Sequence, residues 1–186
     1  MKLPIVRYGH PVLRAKGKRV AKVDDHVRAL AESMIETMRE ANGVGLAAQQ
    51  VGEALQLTVL DVGEAEDQSS TMKLNGAELE AKAAMPLILV NPELTLSAET
   101  VVAVEGCLSF PEITAEITRA SSIVARAQTL EGERVEIEAT GLLARVLQHE
   151  VDHLNGILFI DRMSAVTKVA MRSRLKRMQK ENAPAR

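Results

Sequence analysis

Gln148-His149-Glu150-Val151-Asp152-His153 carries the strongest chemical signal in the chain, because it contains H-E-x-x-H. On an α-helix, residues i and i+4 differ by roughly 40° around the axis, so His149 and His153 leave one face and can bind a single ion. Glu150 lies beside them, placed to take and return a proton without being a ligand. Two His and a Glu on a solvated helix would mean little. Here they interrupt a run, Leu142 to Leu147, that is apolar apart from Arg145. Burying them without partners would be costly, so a metal site is the expectation.

A catalytic metal site ordinarily has three protein ligands and one open position. The chain continues Leu154-Asn155-Gly156-Ile157-Leu158-Phe159, so the glycine of H-E-x-x-H-x-x-G-x-x-H is present but Phe159 stands where that pattern has its last His. His10 and His26 lie in polar or turn sequence, as surface histidines do. Cys107 is the better third donor. It sits in Glu105-Gly106-Cys107-Leu108-Ser109, after an apolar strand-like segment and beside a glycine that permits close backbone approach. A lone cysteine is ordinarily a small buried hydrophobe; beside a helix that offers two imidazoles, and with no rival, it reads as a ligand. One thiolate with two imidazoles suits Zn or Fe(II), and the donor set does not choose between them.

Several elements must position these groups. Val27, Leu30, Ala31, Met34, Ile35 and Met38 recur at helical spacing, which predicts a helix over about Asp25 to Ala41 with Asp24 or Asp25 as cap and Asn42-Gly43 as stop. Gln56 to Val62 reads as a strand. Glu64 to Ala84 has no sustained period and reads as a long surface loop or a poorly ordered insertion. Five short extended segments follow, at Leu87–Val90, Thr100–Val104, Ile113–Thr118, Ser122–Ala127 and Val135–Ala139. Asn91-Pro92 and Glu131-Gly132 serve as turn signals between them. Thr140 is the expected cap of the motif helix, about Gly141 to Leu154, which is apolar on most faces and therefore buried. A last helix over about Ser164 to Glu181 is rich in Lys and Arg, with a frayed tail to Arg186. Helices around mostly antiparallel short strands make the fold class α+β.

The chain's 186 residues are enough for one domain, and the expectation is a single domain over 1–186. Apolar residues at 46% and charged residues at 26% fit an ordinary globular protein. With two Phe, one Tyr and no Trp, the core must be built from Leu, Val, Ile, Ala and eight Met. A formal net charge of −2 argues against a surface designed for DNA or other nucleic acid. One Cys excludes an intramolecular disulfide framework and points to a reducing, cytoplasmic compartment. Met1-Lys2-Leu3-Pro4 opens no long apolar stretch, and Pro86 to Val90 is far short of the roughly 20 apolar residues that cross a bilayer. No membrane partner is expected.

Three separated motifs together resemble the peptide deformylase family. Gly43-Val44-Gly45-Leu46-Ala47-Ala48-Gln49-Gln50 is similar to its first motif, Glu105-Gly106-Cys107-Leu108-Ser109 to its second, and Gln148-His149-Glu150-Val151-Asp152-His153-Leu154 to its third. Ile5-Val6 to Pro11-Val12-Leu13-Arg14 is similar to the family's start. The resemblance covers roughly Ile5 to Met163. It implies Cys107, His149 and His153 as ligands of one Fe2+, with Zn2+, Ni2+ or Co2+ able to substitute, and Glu150 as general acid–base. It implies the Gln50 amide and the Leu108 backbone N–H as stabilisers of the oxyanion. N-formylmethionyl nascent peptides would be the substrates. Gly43 and Gly45 would let the backbone pair with the peptide, and Val44, Leu142 and Val146 match the methionine pocket. Glu105 is placed among the residues around the substrate and, with Gln148, among neighbours that orient the ligands. Arg119 is expected to pair with a carboxylate such as Glu105. Some members carry an Arg where Thr114 stands here. Arg145, one turn before His149, lies either at the rim of the site or against an acid.

Two readings stand for Lys168, Arg172, Arg174, Lys176, Arg177 and Lys180: a solvated face, or attachment to ribosomal RNA, which the family's bacterial members suggest. Other functional readings are an H-E-x-x-H peptidase and a catalytically idle relative that binds formyl peptides or ribosomes.

Overall fold

The computed structural model describes residues 1–65 and 69–183. Asp24 opens α1 (Asp25–Glu40) by accepting the Val27 N–H at 3.0 Å. The helix ends in a Schellman arrangement: the Gly43 N–H reaches Met38 O at 2.9 Å and the Asn42 N–H reaches Arg39 O at 3.0 Å. Asn42, with φ 53°, takes the left-handed position. Gly43 is thereby free to serve another purpose.

Among the described residues the chain forms β1 (Gly45–Ala47), β2 (Leu57–Leu60), β3 (Met72–Leu74), β4 (Ala77–Leu79), β5 (Leu87–Leu96), β6 (Thr100–Cys107), β7 (Phe110–Ala120), β8 (Ser122–Gln128) and β9 (Arg134–Thr140). Seven make one sheet in the order β1-β2-β5-β8-β9-β3-β4, while β6 and β7 form a separate ribbon. Every pairing between these strands is antiparallel. With α1, α2 (Gly141–Leu154) and α3 (Ala165–Glu181), this is the α+β class expected.

β2 is buried along its whole length and separates two cores. Leu57 and Val59 face α1, packing with Leu30, Ala31, Met34 and Met38. Leu60 joins the opposite cluster with Leu143, Ala144, Val146 and Leu147 of α2. Alternation of side chains along one strand thus places a helix on each face of this end of the sheet.

Three expectations need correction. The described part of residues 64–84 is not loop throughout: β3 and β4 make a hairpin, β3 pairs with β9, and Ala81–Ala84 is a short 3-10 helix. Residues 66–68 of that segment, and 184–186 of the tail, lie outside the described residues. A strand of three residues has too few alternations to register as a period, so partners decided what sequence pattern could not. Asn91-Pro92 does not end β5; a bulge between Val90 and Glu93 absorbs it. Asn91 (φ 53°) there accepts the Val20 N–H and donates to Val20 O and Gln128 Oε1. Finally, Thr140 makes no side-chain cap for α2. Ser70 does so from outside, its Oγ accepting the Leu143 N–H at 2.9 Å, while the Thr140 hydroxyl bonds Thr71.

α3 is capped by Ser164, which accepts the Thr167 N–H at 3.1 Å. It leans on the body through Leu175 and Met178, beside the cluster holding Phe110 and Phe159. Among the described residues no helix is long and apolar enough to cross a membrane.

Candidate metal centre

α2 is buried between the large sheet and the β6–β7 ribbon, and Cys107 ends β6 opposite it. His153 Nε2 stands 3.2 Å from His149 Nε2 and 3.3 Å from Cys107 Sγ. All three donor atoms lie within 4.8 Å of one another. Two imidazole nitrogens that close repel through their lone pairs unless a proton or a cation sits between them. Burial opposes a proton on His149, but the Cys107 and Glu105 side chains outweigh it and hold this imidazole's pKa well above its usual range. Burial and the charge on His149 push His153 well below it. The three donor atoms converge on one point between them. A divalent cation fits there in place of the proton.

Glu105 stands behind one of these imidazoles. Its Oε2 lies 3.0 Å from His149 Nδ1, and Arg119 grips both carboxylate oxygens at 2.9 and 3.0 Å. Burial opposes this charge, yet the bonds from His149 and Arg119 prevail and keep the carboxyl well below the usual carboxylate range. The Arg119–Glu105 pair is as expected. Arg119 also meets Asp152, which Arg162 holds from the other side. Asp152 and Arg162 went unnoticed in sequence, although Asp152 lies inside the motif itself.

Glu150 is different. Its Oε2 is buried without a hydrogen-bond partner among the described residues, and burial pushes its carboxyl up to about 7. Burial without a partner disfavours the charged form, so this carboxyl holds a proton more readily than an ordinary one. Its other oxygen lies against Gly45, where an added Cβ would collide with Oε1 and sit 2.8 Å from Val146 Cγ1. Gly45 is thus needed for space beside the acid.

Gln50 follows β1 on a 3-10 turn, Ala48–Val51. Its Oε1 accepts the Ala47 N–H at 2.9 Å, which turns Nε2 toward Ser109 Oγ (3.3 Å) and Cys107 Sγ (3.5 Å). Ser109 was not singled out in sequence. Gln49 and Gln56 both donate to Leu154 O and hold the C-terminal end of α2.

A cleft of about 570 Å³ opens onto these groups, and Gly43, Val44, Gly45, Leu142 and Val146 line it beside His149 and Glu150. The side chain of Leu108 crosses to Gly43, where a Cβ would stand 2.7 Å from Leu108 Cδ1. Glu105 is on the same wall, but its oxygens face Arg119, Arg145 and His149. Thr114 lines the cleft, as does Arg7, whose Nη1 donates to Leu108 O at 3.4 Å. Arg7 had no motif to mark it.

A buried helix that presents H-E-x-x-H to a cysteine on a neighbouring ribbon is the arrangement of a metal-dependent hydrolase. The profile of the polypeptide deformylase family matches residues 2–169, and the chain belongs to that family. It is 46% identical over 182 residues to a peptide deformylase of Opitutus terrae, covering 97% of this chain and 94% of the relative. The crystal structure of peptide deformylase from Thermotoga maritima superposes with TM-score 0.75 at 44% identity, over 88% of this chain and 99% of that one. The enzyme from Ehrlichia chaffeensis superposes with TM-score 0.83 at 35% identity, over 97% and 98%. As a member of the family, the chain is a metal-dependent hydrolase that removes the N-formyl group from nascent polypeptides.

Proposed function

We propose that Cys107 Sγ, His149 Nε2 and His153 Nε2 hold one divalent cation, Fe2+ in the cell, and that residues 1–186 act as one domain around it. The convergence of those three atoms carries the reading. When bound, the cation supplies Lewis acidity, which acidifies a water and polarises the formyl oxygen.

The chain's own groups do the rest. Glu150, with its unpartnered Oε2, receives the proton of the attacking water. The water oxygen bonds to the formyl carbon, the C–N bond breaks, and Glu150 passes the proton to the departing amine, leaving formate and a free N-terminus. Gln50 Nε2, aimed by its bond to Ala47, and the Leu108 backbone N–H stabilise the oxyanion between these steps. Gly43 and Gly45 leave the strand edge open for the peptide backbone to pair with. Val44, Leu142 and Val146 receive the methionine side chain on an apolar wall.

Anaerobic purification, metal analysis and formate release from a formyl-Met tripeptide test this. One Fe2+ per chain and turnover of the formyl peptide are expected; no formate release by metal-loaded protein would end the reading. In the same assay Gln50→Ala is expected to lower kcat by about 10²–10³, the usual cost of losing one oxyanion donor.

The lone free cysteine supports a cytoplasmic setting. Association with the ribosome is the reading offered for α3. Arg174 pairs with Glu112 at 3.0 Å, Lys168 donates to Asp161 O at 2.9 Å and Arg177 stands 3.9 Å from Glu181, whereas Arg172, Lys176 and Lys180 are exposed. Because Leu175 and Met178 pack on the body, charge reversal is a cleaner probe than truncation. Replacing Arg172, Lys176 and Lys180 by Glu should leave formate release unchanged and abolish salt-sensitive co-sedimentation with ribosomes. Equal co-sedimentation of both forms would leave α3 as a solvated face.

A further inference from the structure

The third ligand arrives on a ribbon that, among the described residues, shares no strand pairing with the large sheet. Something must hold that ribbon against α2, or Cys107 would have no fixed relation to the two imidazoles. α2 turns Arg145, Gln148, His149 and Asp152 toward it, at spacing i, i+3, i+4 and i+7, which is one face of a helix. Gln148 fixes the far end of β7, its amide exchanging bonds with Ala120 N and O at 3.0 and 2.9 Å. His149 meets Glu105, and Asp152 meets Arg119.

Arg145 does something the other three do not. It is only 8% exposed. Its Nη1 donates to Ile117 O of β7 at 3.0 Å and to Glu105 Oε1 at 2.7 Å, and its Nη2 donates to Val101 O of β6 at 2.8 Å. Among the described residues it is the one α2 side chain bonded to the backbones of both ribbon strands. It also shares with Arg119 the carboxylate that backs His149, two residues before Cys107.

We infer that Arg145 is a positioning residue for the metal centre: it clamps the β6–β7 ribbon to α2 and so sets Cys107 and the Glu105-backed His149 at coordinating distance from His153. Without it, the buried Ile117 carbonyl and the part-buried Val101 carbonyl lose this donor, and Glu105 keeps Arg119 alone on Oε1. The slack falls on the one ligand carried by the ribbon and on the ring that Glu105 orients. Lysine restores a charge opposite Glu105 but cannot reach three acceptors with a planar fork.

The inference rests on the ligand assignment above, and the test separates the two. Co2+ affinity is measured by competition with a chelator, together with the thiolate-to-cobalt absorption, on wild type, Cys107→Ala, Arg145→Met and Arg145→Lys. Arg145→Met is expected to bind Co2+ about 10- to 100-fold more weakly, as changes behind a ligand commonly do. Its thiolate band should be altered and its kcat lowered, with KM for the formyl peptide held. Arg145→Lys should fall between it and wild type. A lower Tm with wild-type Co2+ affinity and spectrum would overturn the proposal, since it would make Arg145 a purely structural residue. Should Arg145→Met not fold, Arg145→Gln is read in its place with the same two outcomes. Wild-type binding by Cys107→Ala would instead sink the ligand assignment.

Discussion

Glu150→Gln should keep its metal and lose its turnover. The substitution preserves volume in a position that Gly45 and Val146 crowd, so the fold has no reason to change. An amide cannot accept the water proton or hand one to the amine, and a positioned general acid–base commonly accounts for 10²–10⁴ in rate, so kcat is expected to fall by about that much. Metal content should stay at one per chain because Glu150 is not among the three converging donors. Glu150→Ala should behave alike with some loss of stability, since it leaves a void in a buried helix. Formate release comparable to wild type in the Gln variant would remove Glu150 from the mechanism.

The second large effect is on binding. Cys107→Ala should lose metal and activity together. A four-ligand structural zinc site is worth about 10–16 kcal/mol, or about 2.5–4 per ligand, so removing one donor should weaken affinity by on the order of 10²–10³. Dialysis against a mild chelator should then strip Cys107→Ala while wild type retains its ion. The pattern separates the two variants cleanly: one protein loaded and idle, the other empty. Normal loading and turnover by Cys107→Ala would mean that the ligands were wrongly assigned.

Much of this site is legible in the sequence alone. H-E-x-x-H is a local pattern, because five consecutive residues on a helix determine their own relative directions. The first motif is local in the same way, since Gly45 and Gln50 are held by one short strand and the turn that follows. The long amphipathic stripe of α1 and the apolar face of α2 were legible for the reason that regular periods are. The misses have an opposite character. Ser70 caps α2 from 73 residues away in the chain, and β3 is a strand only because β9 lies beside it.

The candidate groups, two imidazoles, a thiol, a carboxyl and an amide, are legible in the amino-acid order, because each lies in a motif whose neighbours dictate local geometry. How they meet is a matter of the folded chain. The distance from Cys107 to His153, the unpartnered oxygen of Glu150 and the grip of Arg119 and Arg145 on Glu105 are contacts between segments remote in the chain. Their distances follow from how a ribbon docks on a helix, and that depends on packing and buried charge summed over the whole molecule. No short pattern encodes such a sum, which is why Arg145 looked equally at home at the rim or against an acid until its three partners were in place.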